Sequence, residues 1–217
     1  MSTQANCVDA ARLVRMFRAA AGQIRANVDA LSKYDSVGGD GDHGTTMVRA
    51  MGNMEKAIES SKAADLKTLL NNIAWAVMGT DGGATGPLFG SFFSGMAPAT
   101  AGKKTLDAKT LAAVLEGGLA GIQKCSKAQQ GDKTMLDALI PAVQGLRASA
   151  DSGADTLASL RQAAEAAAQG AEATKKMVAR FGRAKNIGEK SLGSPDPGAV
   201  SVALIFKGFV EGVGTDA

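Results

Sequence analysis

Asp35-Ser-Val-Gly-Gly-Asp40-Gly-Asp42-His43-Gly44-Thr45-Thr46 places three carboxylates and the chain's only histidine within nine residues, spaced mostly by glycine. The sequence on both sides has helical periodicity, so the stretch reads as a loop between two helices. Hard divalent cations take oxygen ligands, and Mg²⁺ is held by one or two carboxylates together with substrate phosphates. Glycine spacing lets several carboxylates converge without the backbone colliding with the bound ions. A Mg²⁺–phosphate site is the chemical expectation. An Asp/Gly-rich surface turn is the plainer alternative, because both residues are ordinary in turns.

Two other motif readings fail. Gly39-Asp-Gly41-Asp-His-Gly44 has the form G-x-G-x-x-G. The dinucleotide fingerprint must follow a strand and open a βαβ unit; no strand precedes this one, and its acids would repel a bare pyrophosphate. An EF-hand begun at Asp40 has Gly44 where a further ligand is needed and Met51 in place of the bidentate glutamate. An acidic loop of this kind holds phosphate only through metal.

Working outward, Leu13, Phe17, Ala21, Ile24, Val28 and Leu31 recur at steps of three and four, predicting one long amphipathic helix over about 7–33. After His43, the stripe Met47, Met51, Met54, Ile58 predicts a second helix, its methionines filling core. A third is expected over Leu66–Met78, with Trp75 in the core or at a subunit interface. Gly79-Thr-Asp-Gly82-Gly83-Ala84-Thr85-Gly86-Pro87 then leads into a buried, small-residue helix. Thr85 is the expected N-cap and Pro87 falls in the first turn, where proline is tolerated. Such an entry presents free N–H groups and the positive dipole end to an anion, though no Gly-Lys-Ser/Thr of a Walker A loop follows.

Further helices are expected over about 107–127, from Gly131-Asp132-Lys133-Thr134-Met135 onward with Pro141 as a kink or a later start, and over 154–180. Ser194-Pro195-Asp196-Pro197-Gly198 is a turn signal before the last helix. The expected fold is all-α: a single domain spanning 1–217, with roughly eight helices, no alternating strand and no internal repeat.

The composition agrees. Of 217 residues, 45% are hydrophobic and only 4% aromatic, with 27 glycines, which suits closely packed helices. A net charge of +3, without a dense basic patch interleaved with aromatics, gives no case for nucleic acid. Cys7 and Cys125 have neither C-x-x-C nor zinc spacing and are expected as free thiols of a reducing, cytoplasmic compartment. No signal peptide and no apolar run near the ~20 residues of a membrane helix is expected.

Four motifs in order carry a resemblance over essentially the whole chain. They are Asp35-x4-Asp40-x-Asp42-His43-Gly44, Gly83-Ala84-Thr85-Gly86-Pro87-Leu88-Phe89-Gly90, Gly131-Asp132-Lys133-Thr134-Met135, and Gly182-Arg183-Ala184…Gly188-Glu189…Asp196-Pro197-Gly198-Ala199. Together they resemble the nucleotide-binding L subunit of dihydroxyacetone kinases, which is also the C-terminal domain of single-chain forms. The resemblance implies a barrel of eight amphipathic helices with ADP/ATP and two Mg²⁺ at one end. Asp35, Asp40 and Asp42 would coordinate the metals. His43, Gly44, Thr45 and Thr46 would line the nucleotide, and Ala84 and Thr85 would meet the phosphates. Ser126, Met135, Arg183 and the Asp196-Pro197-Gly198 turn would border the nucleotide too, with Arg183 also acting on the transferring group. Thr46 stands where asparagine is common in the family, and Ser126 where some members have glycine.

The same resemblance implies partners. In these kinases a histidine on a K subunit or domain holds the ketose as a hemiaminal, and the one histidine here is already inside the metal motif. A K-type partner is therefore expected, with a phosphohistidine protein of the phosphotransferase system as a possible donor, and a homodimer. ATP-dependent and phosphotransferase-system modes both stay open, as does the choice between dihydroxyacetone, erythrulose and related ketoses. Fatty-acid kinases, which usually have Thr where His43 stands, are a rival. So are a nucleotide-loaded module that signals ketose status to a transcription factor, and a ligand-free helical scaffold.

Overall fold

Four aspartates start four of the helices. Asp9, Asp65, Asp107 and Asp155 each accept a hydrogen bond from the backbone N–H three residues on, satisfying a donor that the first turn would otherwise leave open. The computed structural model describes residues 7–61 and 65–214. Among them lie nine α-helices: α1 (Ala10–Ala26), α2 (Val28–Asp35), α3 (His43–Ser60), α4 (Leu66–Met78), α5 (Thr85–Met96), α6 (Ala108–Cys125), α7 (Leu136–Asp151), α8 (Thr156–Ala173) and α9 (Pro197–Gly214). The described residues contain no strand, only an isolated bridge between Val8 and Leu106.

Eight of these helices close a ring. Each of α3 through α9 packs on the next, α9 packs on α1, and α1 returns to α3. The short α2 is the ninth, seated on α3 and α9. The single long helix expected over 7–33 is in fact two. At Asn27 the backbone leaves helical geometry (φ −121°, ψ 16°), and the side-chain amide donates to the Gln23 carbonyl. An asparagine that bonds its own backbone in this way offers an alternative to helix continuation.

The barrel interior is apolar. Phe17 of α1 meets Phe93 of α5 and Phe209 of α9 edge to face, with centroids 5.5 and 5.8 Å apart, an arrangement the ring quadrupoles favour. Met47, Met51 and Met54 are buried among them, as their spacing predicted. Trp75 is not in the core: 75% of it is exposed, because it sits on the outer face of α4. By length and composition α9 would reach across a bilayer, contrary to the expectation from apolar runs, but half of it is buried against other helices. Its Gly208 lies so close to α1 that a Cβ there would stand 2.3 Å from Ala20 backbone.

Three further points refine the expected boundaries. Pro141 lies inside α7 and does not mark its start. The long helix expected over 154–180 ends at Ala173 and passes through one tighter turn, Thr174–Lys176. Thr85 is the first residue of α5, with Ala84 as its cap and no capping side chain.

Candidate active site

Antiparallel packing sorts the helix ends. The four aspartate-capped helices begin at one end of the ring; α3, α5, α7 and α9 begin at the other. The residue before α3, α5 and α7 makes no side-chain capping bond, although the first N–H of α3 donates to Asp35 and the first two of α7 donate to Thr134. His43, Thr85, Leu136 and Pro197, the first residues of these four helices, all line one cavity of about 440 Å³. That volume is ordinary for a cofactor or small-molecule site. Converging helix N-termini supply donors and positive potential for anions.

At one side of the cavity stand Asp35, Asp40 and Asp42. One carboxylate oxygen from each lies within 4.8 Å of the others, the one such acidic cluster among the described residues. Ligands opposed across an ion at about 2.1 Å would be roughly 4.2 Å apart, so small side-chain rotations bring all three onto one hard cation. The loop is shaped for this. Gly41 has φ 77°, and Gly39 packs so close that a Cβ would stand 2.4 Å from Asp35 Oδ1. The backbone N–H of His43 donates to Asp35 Oδ2 at 3.3 Å. The donor set fits Mg²⁺.

Arg183 pairs with Asp40. The guanidinium's hydrogen bond holds the Asp40 carboxyl below the usual range and raises the arginine in turn. His43 is pulled below the ordinary imidazole value by burial, against the opposing pull of Asp35 and Asp42. Its Nε2 lies 2.8 Å from Ser201 Oγ, joining the first residue of α3 to the second turn of α9. Asp196 precedes α9 and caps it, Oδ2 accepting from the Ala199 N–H at 2.7 Å. Enclosure by protein raises its pKa from 3.8 to about 7, with that hydrogen bond opposing.

Ala84, Thr85, Ser126, Met135, Arg183 and the Asp196-Pro197-Gly198 turn also reach the cavity wall. Gly44, Thr45 and Thr46 do not. Gly44 is pressed on α2, where a Cβ would meet the Val28 carbonyl oxygen at 2.1 Å. Thr45 Oγ1 turns back to the Asp42 carbonyl. Thr46 is buried under the glycine loop, its hydroxyl accepting from Arg49, which also donates to the Asp81 carbonyl.

Two kinds of wall residue were not singled out from sequence. Apolar ones such as Leu88, Ile122, Phe181 and Ile187 suit the flat face of a base. Lys133 belongs to a recognised motif, yet its conformation has no sequence signal. It has φ 61°, the one non-glycine residue at positive φ among those described, at a strain of about 1–3 kcal/mol.

Residues 37–211 match the DAK2 domain. The chain belongs to that family. It is 38% identical over 189 residues to the ADP-binding subunit DhaL of a PEP-dependent dihydroxyacetone kinase of Listeria innocua, covering 87% of this chain and 89% of that one. It is 34% identical over 204 residues to the L-erythrulose kinase of Pectobacterium atrosepticum, covering 93% of this chain but only 34% of the longer relative. The crystal structure of the dihydroxyacetone kinase of C. freundii in complex with AMP-PNP and Mg²⁺ superposes with TM-score 0.72. It is 27% identical and covers 97% of this chain and 36% of that one. The DAK2-domain relatives are kinases, phosphotransferases acting on an alcohol, and the all-α ring is the fold they share with this chain.

Proposed function

We propose that this DAK2-domain chain, taken as one unit over 1–217, is the nucleotide-binding subunit of a short-ketose kinase. It would transfer a phosphoryl group from bound nucleotide to a hydroxyl of dihydroxyacetone or a close analogue. The observation that carries the reading is the meeting of four helix N-termini and three carboxylates at one cavity. The positive ends of the helices favour phosphate, the carboxylates favour a divalent cation, and a metal–phosphate ligand satisfies both.

Asp35, Asp40 and Asp42 would hold two Mg²⁺ ions, whose charge offsets that of the phosphoryl oxygens. The N-terminal turn of α5 at Ala84 and Thr85 directs N–H groups at the phosphates. Arg183 supplies a further cation beside the acidic cluster, one that a bound phosphate would draw from Asp40. His43, kept neutral by burial and engaged with Ser201, holds α3 and α9 in register. Apolar wall residues exclude water from the base.

A chain with one histidine, and that one in the cation loop, has none left to hold a ketose covalently. The resemblance to dihydroxyacetone kinase L subunits adds to the proposal a K-type partner that presents the ketose, a phosphohistidine protein as donor, and a homodimeric, cytoplasmic assembly. The PEP-dependent, ADP-binding relative supports ADP as a resident cofactor in this chain too. Nucleotide analysis of the purified protein after gel filtration without added nucleotide tests this. Stoichiometric ADP is expected; an empty site that binds Mg²⁺–ATP reversibly would favour the ATP-dependent mode, and no binding in either condition would overturn the proposal.

A further inference from the structure

Lys133 lines the nucleotide cavity, in a glycine-led loop before a helix N-terminus, where a lysine would ordinarily be read as a phosphate ligand. Its geometry argues otherwise. The side chain is buried, and Nζ donates to three carbonyls at once: Thr174 at 2.8 Å, Ser191 at 2.7 Å and Ser194 at 2.7 Å. An ammonium has three protons, so none is left for a ligand.

What the three carbonyls share is the cavity's least supported wall. From Met177 to Ser194 the chain has no α-helix, and only Ala179 and Ser191 are buried. None of its large apolar side chains is buried: Val178 is 36% exposed and Leu192 44%, Phe181 (36%) and Ile187 line the open cavity, and Met177 is half-buried. Hydrophobic burial therefore does little to hold it. Polar bonds do the work instead, the three from the lysine and others around them. Gly193 N–H donates to the Lys175 carbonyl, Asp196 N–H to Thr174 Oγ1, and Arg180 N–H to the Asp132 carbonyl beside Lys133. Arg183 and the Asp196-Pro197-Gly198 turn both belong to this segment or its end.

We infer that Lys133 is a positioning residue: by gripping the carbonyls of Thr174, Ser191 and Ser194, it sets the wall that presents Arg183 and the Asp196 turn to the nucleotide. The inference rests on the nucleotide reading for its functional consequence, and its structural half stands alone. The left-handed backbone at Lys133 is consistent with it, since the turn aims the side chain into the hub instead of along the helix that follows.

Lys133→Met keeps the length of the stem and removes the donors. Calorimetry with Mg²⁺–ADP is expected to show affinity lowered about 10- to 100-fold, the scale on which misplaced positioning groups act. Binding of Mn²⁺ alone, followed by its paramagnetic resonance, is expected not to weaken, because the acidic loop is carried by α2 and α3 and a loosened wall releases Arg183 from Asp40. Equal weakening of both ligands in a variant whose far-UV helical signal persists would overturn the proposal, as would wild-type ADP affinity in the variant. Arg183→Ala added to Lys133→Met should lower affinity further by much less than it does in the wild type; independent, multiplying effects would overturn a role exerted through Arg183.

If the wild type itself binds no nucleotide, the functional reading fails, and hydrogen exchange decides the structural half. Faster exchange at the amides of Gly193 and Asp196 in Lys133→Met, with α3 to α6 unchanged, upholds the grip; unchanged exchange refutes it. Should Lys133→Met not fold, Lys133→Arg keeps charge and stem, yet its planar fork cannot converge on three carbonyls. The same split between ADP and Mn²⁺ is then expected, and wild-type ADP affinity would overturn the inference.

Discussion

Arg183, on the irregular wall between α8 and α9, pairs with Asp40 of the α2–α3 loop, so the cavity's one lining arginine is bound to one of its three candidate metal ligands. A cation already sits against the acidic cluster. Any metal entering there meets that charge, and any phosphate entering offers the guanidinium a second anion. As an exposed pair it adds little to stability; its importance lies in what it competes with.

Replacing Arg183 with glutamine should therefore act in opposite directions on the two ligands. Mn²⁺ alone should bind more tightly, since the competing cation is gone, while Mg²⁺–nucleotide binds more weakly. With a K subunit and ketose supplied, kcat should fall by about 100-fold, the scale seen when a fixed charge-stabilising donor is removed. Parallel titrations of Arg183→Gln and Lys185→Gln check the point, because a non-specific charge effect would move both variants alike.

The acidic cluster makes a simpler prediction. Asp40→Ala or Asp42→Ala should abolish Mg²⁺-dependent nucleotide binding while the far-UV helical signal persists, since the loop carries no core packing. Retained affinity in both variants would sink the metal assignment.

Asp196 predicts a pH dependence. Its folded pKa of about 7 lies above the ordinary 3.8, so the native state holds the proton more tightly than the unfolded chain. The associated stability is present at low pH and is lost as pH rises through about 7. Asparagine keeps the capping geometry without the charge. In protein free of metal and nucleotide, Asp196→Asn should gain on the wild type between pH 5 and pH 8, by up to a few kcal/mol at about 1.4 kcal/mol per pKa unit. Urea midpoints at the two pH values measure this, and a constant difference would show that the carboxyl titrates normally.

Gly170 of α8 predicts a packing effect. Pro141 has no N–H, so the Asp137 carbonyl four residues back lacks its helical donor, and Gly170 is where α8 comes against it. A Cβ at Gly170 would stand 2.2 Å from that oxygen. Gly170→Ala should destabilise the fold by about 1–3 kcal/mol, as overpacking does, despite alanine's higher helix propensity. Thermal denaturation showing a gain would mean that α7 and α8 move apart freely.

Much of this molecule was decided locally, and local decisions are legible in a sequence. The apolar stripes of α3 and α4 follow the 3.6-residue period because one face must be buried, whatever it is buried against. The Asp35–Asp42 loop declares its chemistry by composition, and four motifs in order point to one family without any coordinates. The break at Asn27 was hidden because the apolar stripe runs on through it, while the helix ends where a side-chain amide takes a backbone carbonyl.

Tertiary structure decided the rest. No sequence period says that α3, α5, α7 and α9 begin at the same end of a closed ring, yet that convergence makes the anion site. Thr46 reads as a ligand by its position in a motif, but Arg49 and Gly82 pack it under a loop instead. Nothing in the sequence says that the three protons of Lys133 go to carbonyls 41, 58 and 61 residues away. Residue types set which chemistry is available here; only chain closure, which brings distant carbonyls and charges within 3 Å, determines where each donor is used.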